Sequence, residues 1–457
     1  MSVSNTYFSC EEIHNAFIRA EKIFFIGIGG IGMSALAEFC ANIGKRVYGY
    51  DQKRGVESAK LEKMCSIKYY STPDNIKGMD LVIYTNAIDE NCFEYKCAKR
   101  KKIPLISRAN FLGYVVSLHA SRIGVAGMHG KSTTTAMLAH IFNTACMNPT
   151  VFCGAQMHNF KSNYRHGGRD FCVFEACEYQ NSFLSLPITD GVILNIDYDH
   201  PDFFSGIDEI KCSFSKFIKN AKRVFINYDD ENCHCLCHKS IITYGLNKNS
   251  TYYAKECKSE NCEHGVSFFV YKKGEELCKC TLNFAGEHFI YDALCAFAVA
   301  HTYGISPSII SYALSTFEGC GRRMEFITNS DTGAPIFEDY AHHPKEIEAS
   351  LSSLCKMGYK NVLCVFQGHT YSRTFYLYDE FTKAFKNASE LIIYPIFPAR
   401  EENIFELSEE KFALDCGGIF EASLEKIAQA IQNSQCDAIV IMGAGDLSLK
   451  LKRFLIT

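Results

Sequence analysis

Short apolar runs recur along this chain with segments of helical periodicity between them, the pattern of buried strands joined by covering helices. Residues 23–27, 46–50, 81–85 and 104–107 are such runs, with a helical segment at 35–43, and they predict a small parallel sheet. A second series opens with a strand at 122–126 and a helix after Lys131, then continues through strands at 172–175, 192–196 and 224–227. From 240 to 284 the pattern changes to short strands rich in Tyr, Phe and Val (251–254, 266–271, 278–284), which predicts an antiparallel appendage. Helices near 290–303 and 307–317 follow, and Gly319-Cys320-Gly321 interrupts the pattern. Beyond it, strands at 324–328, 335–339, 362–366, 391–394 and 438–442 alternate with helices such as 345–356 and 423–433. Three α/β units are therefore expected, at residues 1–118, 119–319 and 320–457.

A chain of 457 residues is too long for one core, and 47% hydrophobic with 21% charged residues is ordinary globular composition. The formal net charge of −4 leaves no basic footprint for nucleic acid. The stretch from Met1 to Ala20 is polar, and no run of about eighteen apolar residues occurs, so a cytoplasmic protein without membrane insertion is expected. The 23 cysteines are scattered through strands and helices, which suits reduced thiols better than a disulfide-stapled secreted domain. The run Cys233-His234-Cys235-Leu236-Cys237-His238 crowds soft ligands without the paired C-x2-C spacing of structural zinc, and an ordinary helix after the strand at 224–227 is expected there rather than a metal site.

Two glycine loops carry the chemistry. Gly27-Ile28-Gly29-Gly30-Ile31-Gly32 follows a strand and opens a helix, and Asp51 ends the next strand about twenty residues on, as in a dinucleotide-binding unit. Its backbone amides would serve another nucleotide diphosphate as well as NAD, and a glycine turn needed only for packing has the same spelling. Gly127-Met128-His129-Gly130-Lys131-Ser132-Thr133 is a phosphate loop shortened at its start, with Val125 where the first glycine of G-x-x-x-x-G-K-[ST] would stand. Lys131 can neutralise β and γ phosphates, and the Ser132 hydroxyl is placed for magnesium.

Glu175 and Glu178 end one strand, while Asn195, Asp197, Asp199, His200 and Asp202 follow the next. These oxygens suit magnesium, with surface turn chemistry as the bland alternative. In the last unit, Arg322, Arg323, Asp339, His342, His343, His369 and Arg373 fall at strand ends, where Arg and His can grip phosphate or carboxylate.

In this order, on three α/β blocks, these motifs resemble the Mur ligases of peptidoglycan synthesis over nearly the whole chain. The most telling are Glu175-Ala176-Cys177-Glu178-Tyr179, Asp339-Tyr340-Ala341-His342-His343-Pro344 and Gln367-Gly368-His369-Thr370-Tyr371-Ser372-Arg373-Thr374. The resemblance implies an N-terminal Rossmann-like UDP-binding domain, a central P-loop ATPase-type domain with the antiparallel appendage, and a C-terminal Rossmann-like domain. It implies ATP and Mg2+ as cofactors, UDP-N-acetylmuramate and L-alanine as substrates, and amide formation through an acyl phosphate. It places Gly29, Gly30, Gly32, Asp51, Thr85 and Asn86 at the UDP group, and Gly127, His129, Gly130, Lys131, Ser132, Thr133 and Asp339 at ATP. Ser132, Glu175 and His200 would ligate magnesium. Lys131, Glu175, His200, Arg323 and His342 would serve catalysis, with His369 and Arg373 on the muramoyl and alanine side.

The chain departs from the family pattern at Met128, Gly368, Tyr198 and Pro201, and most of all at His288-Phe289-Ile290-Tyr291-Asp292, where the family uses asparagines to hold adenine. Rival readings are a related ligase with another UDP-muramoyl or amino-acid substrate, a non-catalytic UDP-sugar-binding paralogue, and an NAD-dependent oxidoreductase. The last leaves the lysine loop unexplained.

Overall fold

In the computed structural model, which describes residues 8–259 and 265–456, the strands form three sheets that follow one another along the chain. The first holds five parallel strands in the order Ser66–Lys68, Arg46–Tyr50, Lys22–Ile26, Leu81–Tyr84, Leu105–Ser107. The strand order reverses at Lys22–Ile26, and the first glycine loop leaves that strand's carboxyl end, where doubly wound sheets take ligands. The helix Cys10–Arg19 escapes the sequence reading because only Ile13 and Phe17 are buried on it; its start is fixed by a Ser9–Glu12 capping box.

The central sheet runs Glu275–Leu282, Val266–Lys272, Tyr252–Ser259, Ile241–Gly245, Arg223–Asn227, Asp190–Ile193, Ser121–Ala126, Phe171–Glu175, Thr150–Met157, Ser162–Arg165. Its middle is parallel, and the expected antiparallel strands extend the same sheet as its edge. The join is short, two residue pairs from Tyr244↔Tyr252 to Gly245↔Tyr253. At the opposite edge Thr150–Met157 and Ser162–Arg165 form an antiparallel pair that periodicity does not reveal, since the first strand mixes buried, exposed and glycine positions. The third sheet is Glu325–Asn329, Pro335–Asp339, Ala438–Met442, Val362–His369, Glu390–Phe397, Ile419–Phe420, parallel except for its first strand. No helix among the described residues is long and apolar enough to cross a membrane.

The first two units pack tightly. Helix Arg108–Ser117 lies against the turn Tyr179–Ser185, and at Gly113 a Cβ would come within 2.1 Å of the Ser185 carbonyl oxygen, so only glycine permits the approach. Polar bridges cross the same seam: Asn163 Nδ2 donates to Ile31 O at 2.6 Å, Gln156 Nε2 to Glu57 Oε1 at 2.5 Å, and Asn86 Nδ2 to Gln180 Oε1 at 3.0 Å.

Candidate active site

Gly29, Gly30, Gly32, Thr85 and Asn86 converge at the carboxyl ends of the first sheet's inner strands. Helix Ile31–Asn42 opens there with Gly30 as its N-cap and no side-chain cap, which leaves amides for an anion. Asp51 is already engaged, its Oδ2 accepting from Gly29 N at 2.8 Å.

The phosphate loop leaves strand Ser121–Ala126 and opens helix Lys131–Thr144. Gly130 takes φ of +83°, and a Cβ there would meet Asp292 Oδ1 at 2.5 Å, so conformation and space both demand glycine. Asn195 pins the loop reciprocally: its Oδ1 accepts from His129 N at 2.9 Å and its Nδ2 donates to His129 O at 3.1 Å. Lys131 Nζ donates to Gly127 O at 2.5 Å and Met128 O at 3.0 Å, and pairs with Glu178 at 3.0 Å. Burial opposes both charges, yet Glu178 holds the ammonium above its ordinary pKa, and Lys131 and His200 hold Glu178 below its own.

Glu178 thus links Lys131 to His200, whose Nε2 lies 3.3 Å away, whereas Glu175 faces the other flank of the loop. The Glu175 carboxylate accepts from Gly154 N, and Cys153 Sγ lies 3.4 Å from Glu175 Oε1 and 3.6 Å from Ser132 O. His200 has φ of +56° and packs against Tyr179 with the rings tilted 40° and 4.7 Å between centres. Ser132 is buried on the Glu175 side of the loop while His200 lies on the Glu178 side, and among the described residues the His, Cys and carboxylate groups whose ligand atoms come close enough together to share a metal ion are His129, Asp197 and His343. Met128, by contrast, is buried in the apolar cluster joining the first two units.

The third unit brings its strand ends onto this loop. Arg322 is structural, donating to Glu338 Oε1 at 2.7 Å and Gly443 O at 2.6 Å, while Arg323 points into a cavity of about 240 Å³ shared with His129, Asp292, Phe289 and Asp339. Asp339 accepts from Ala341 N at 2.8 Å and Ser350 Oγ at 3.1 Å, and burial lifts it to about 6. His342 and His369 are neutral: burial, with Arg373 nearby, depresses them to about 3 and about 4. Arg373 Nε donates to Asp199 Oδ1 at 2.8 Å, and His343 Nε2 approaches Tyr198 O at 3.2 Å. Burial opposes a charge on His129, but the Glu346 and Asp197 carboxylates outweigh it and raise the imidazole to about 9.

Glu346 is the residue that sequence reasoning missed. Its signal was the spacing from His343 at the helix start, a capping box closed by a glutamate at the third helical position. The Cys233 segment is a short 3-10 turn, Glu231–Cys235, in which His234 Nε2 meets Tyr228 O at 2.7 Å and Cys233 is buried.

A lysine phosphate loop faced across a cleft by arginine, histidine and carboxylate from another α/β unit marks a three-domain enzyme that brings a nucleotide and a second substrate together between domains. The chain belongs to the Mur ligase family: the family, catalytic domain matches residues 22–119, the middle domain 125–300 and the glutamate ligase domain 322–445. It is 38% identical over 448 residues to the UDP-N-acetylmuramate--L-alanine ligase of Caldicellulosiruptor saccharolyticus, covering 93% of this chain and 96% of that one. The enzyme of the same name from Aquifex aeolicus is 36% identical over 450 residues, 96% of this chain and 98% of its own. Among solved structures, the UDP-N-acetylmuramate-alanine ligase of Thermotoga maritima superposes with a TM-score of 0.83 at 26% identity, covering 95% and 98% of the two chains.

Proposed function

We propose that this chain joins L-alanine to the lactyl carboxylate of UDP-N-acetylmuramate, driven by cleavage of ATP, as a step of peptidoglycan synthesis. The observation that carries the reading is the 36–38% identity, over nearly the full length of both chains, to relatives named for that reaction. The division of labour follows the three units, with boundaries near 118 and 319: UDP on the first glycine loop, ATP on the second, amino acid under the third.

The site's own groups account for the chemistry. Lys131 releases its loop carbonyls and Glu178 to meet the β and γ phosphates, and the helix N-terminus behind it adds amides. Ser132, Glu175 and His200 would hold magnesium, which neutralises phosphate charge when bound. The lactyl carboxylate attacks the γ phosphorus and ADP leaves; the amine of alanine then attacks the acyl phosphate carbonyl, and phosphate leaves. Arg323, held cationic by Glu346 and Asp339, faces the charge that builds up on the phosphates. The neutral imidazole of His342, whose Nδ1 donates to Tyr340 O at 3.0 Å, presents Nε2 as an acceptor for the incoming amine, whereas His369 Nδ1 already accepts from Arg373 at 3.1 Å. Phosphate release should require ATP, UDP-N-acetylmuramate and L-alanine together. Release without either acceptor would leave a simple ATPase, and release only with a muramoyl peptide would point to a sister ligase.

A further inference from the structure

Glu346 divides its two carboxylate oxygens between two tasks. Oε2 accepts from the backbone N–H groups of His342 at 3.1 Å and His343 at 3.4 Å, closing the capping box at the start of helix Pro344–Lys356. Oε1 turns the other way, lying 3.0 Å from His129 Nδ1 in the phosphate loop and 3.8 Å from Arg323. A capping box needs one acceptor, so helix formation explains only the first oxygen. The second reaches across the domain boundary to a loop that Asn195 already holds rigid. Neighbouring contacts across the same boundary, Lys345 to Asp197 at 2.7 Å and Arg373 to Asp199 at 2.8 Å, go instead to the loop before His200.

We propose that Glu346 is a positioning residue that seats the third domain on the phosphate loop through His129, so that domain closure brings Arg323 to the nucleotide and His342 to the second substrate together. The chain of connection is short. His342 is tied to Glu346 through its backbone and, at 3.2 Å, its ring; Arg323 shares the Oε1 side; and His129 is one residue from the Gly130 that opens the nucleotide-binding helix. Moving Glu346 therefore moves a phosphate-facing arginine and a substrate-facing histidine relative to the loop they serve. The proposal rests on the ligase reading above.

Glu346→Gln separates the two tasks, because glutamine also closes capping boxes but carries no charge for His129 or Arg323. The variant should unfold within about 2 °C of the parent and keep its KM for UDP-N-acetylmuramate, while kcat falls about tenfold or more. Combined with His129→Gln, the loss should be no greater than that of the worse single variant, since both break one connection. Additive losses, an unchanged kcat, or a fall in melting temperature that parallels the fall in activity would overturn the proposal. Hydrogen exchange over residues 127–134 with Mg-ADP bound gives a readout independent of turnover: Glu346→Gln should exchange faster than the parent, and equal protection would refute the latch. A parent protein that binds Mg-ADP but ligates nothing would instead refute the ligase reading, leaving the exchange comparison to decide on Glu346.

Discussion

Arg373 and Asp199 form an ion pair across the cleft with each side chain only 5% exposed, Nε to Oδ1 at 2.8 Å, fastening the third domain to the loop that carries His200. Breaking such a pair costs more than the pair contributes, because the remaining charge is left buried without a partner. Arg373→Met should therefore lower stability by about 3 to 5 kcal/mol, and Arg373→Met with Asp199→Leu should recover most of it while activity stays lost. Urea unfolding of the three proteins checks this; a single variant within about 1 kcal/mol of the parent would mean that the charge finds water.

Lys131→Ala and Glu175→Ala should each abolish turnover yet leave UDP-N-acetylmuramate affinity within about threefold, a change under 1 kcal/mol. The reason is spatial: the first glycine loop and the phosphate loop open different helices on different sheets. Calorimetric titration of the UDP-sugar into each variant is the measurement, and lost binding in a folded Lys131→Ala would refute the division.

The sheets were legible because parallel strands buried on both faces spell themselves as apolar runs, and placement at their carboxyl ends made the residues there candidates, to which the glycine loops and the family resemblance gave roles. Thr150–Met157 and Ser162–Arg165 were not legible, since the short buried run Val151-Phe152-Cys153 gives way at once to the exposed Gly154 and the partner strand is polar. At the site, local spelling singled out Lys131 and Ser132 as candidates at the mouth of a helix that the structure does form. It did not separate Glu175 from Glu178, because which carboxylate faces Lys131 depends on how the chain turns after the strand. Glu346 was hidden for a different reason: its partner His129 lies more than two hundred residues away, and only the folded cleft brings them together.

Asp292 gives a pH signature. It is buried beside the phosphate loop, accepts from Thr134 Oγ1 at 3.0 Å, and burial raises it to about 7. Unfolded, it ionises near 3.8, so between these values the unfolded chain has released a proton that the folded chain retains. Stability then falls as pH rises from about 4 to 7 and levels off above, a span worth up to about 4 kcal/mol for three pKa units. Asp292→Asn should be progressively more stable than the parent across that window. Above pH 7 the parent also places an anion beside the bound phosphates, so its KM for ATP should climb where the variant's stays flat. Parallel stability and KM profiles for the two proteins from pH 5 to 9 would sink the assignment.

Phe289 stands where the resemblance to the Mur ligases implies an asparagine at adenine, and its ring lines two cavities. One, of about 240 Å³, is shared with His129, Arg323 and Asp339, and the other, about 350 Å³, lies among Phe284, Met324 and Phe337. The ring is 4% exposed and packs against His288 at 4.2 Å and Phe284 at 5.3 Å between centres. An aromatic face can stack a base for roughly 1 to 3 kcal/mol without reading its edge, whereas an amide in the same place would hydrogen-bond adenine and reject guanine. The parent should therefore discriminate ATP from GTP by less than about tenfold in kcat/KM, under 1.4 kcal/mol. Phe289→Asn should sharpen that preference while losing some stability to the cavity it opens, since the ring belongs to the apolar core. Nucleotide titrations at fixed UDP-sugar and alanine measure both ratios. A parent already selective for ATP, with the ratio unchanged in Phe289→Asn, would show that a neighbouring polar group reads the base and that Phe289 is core alone.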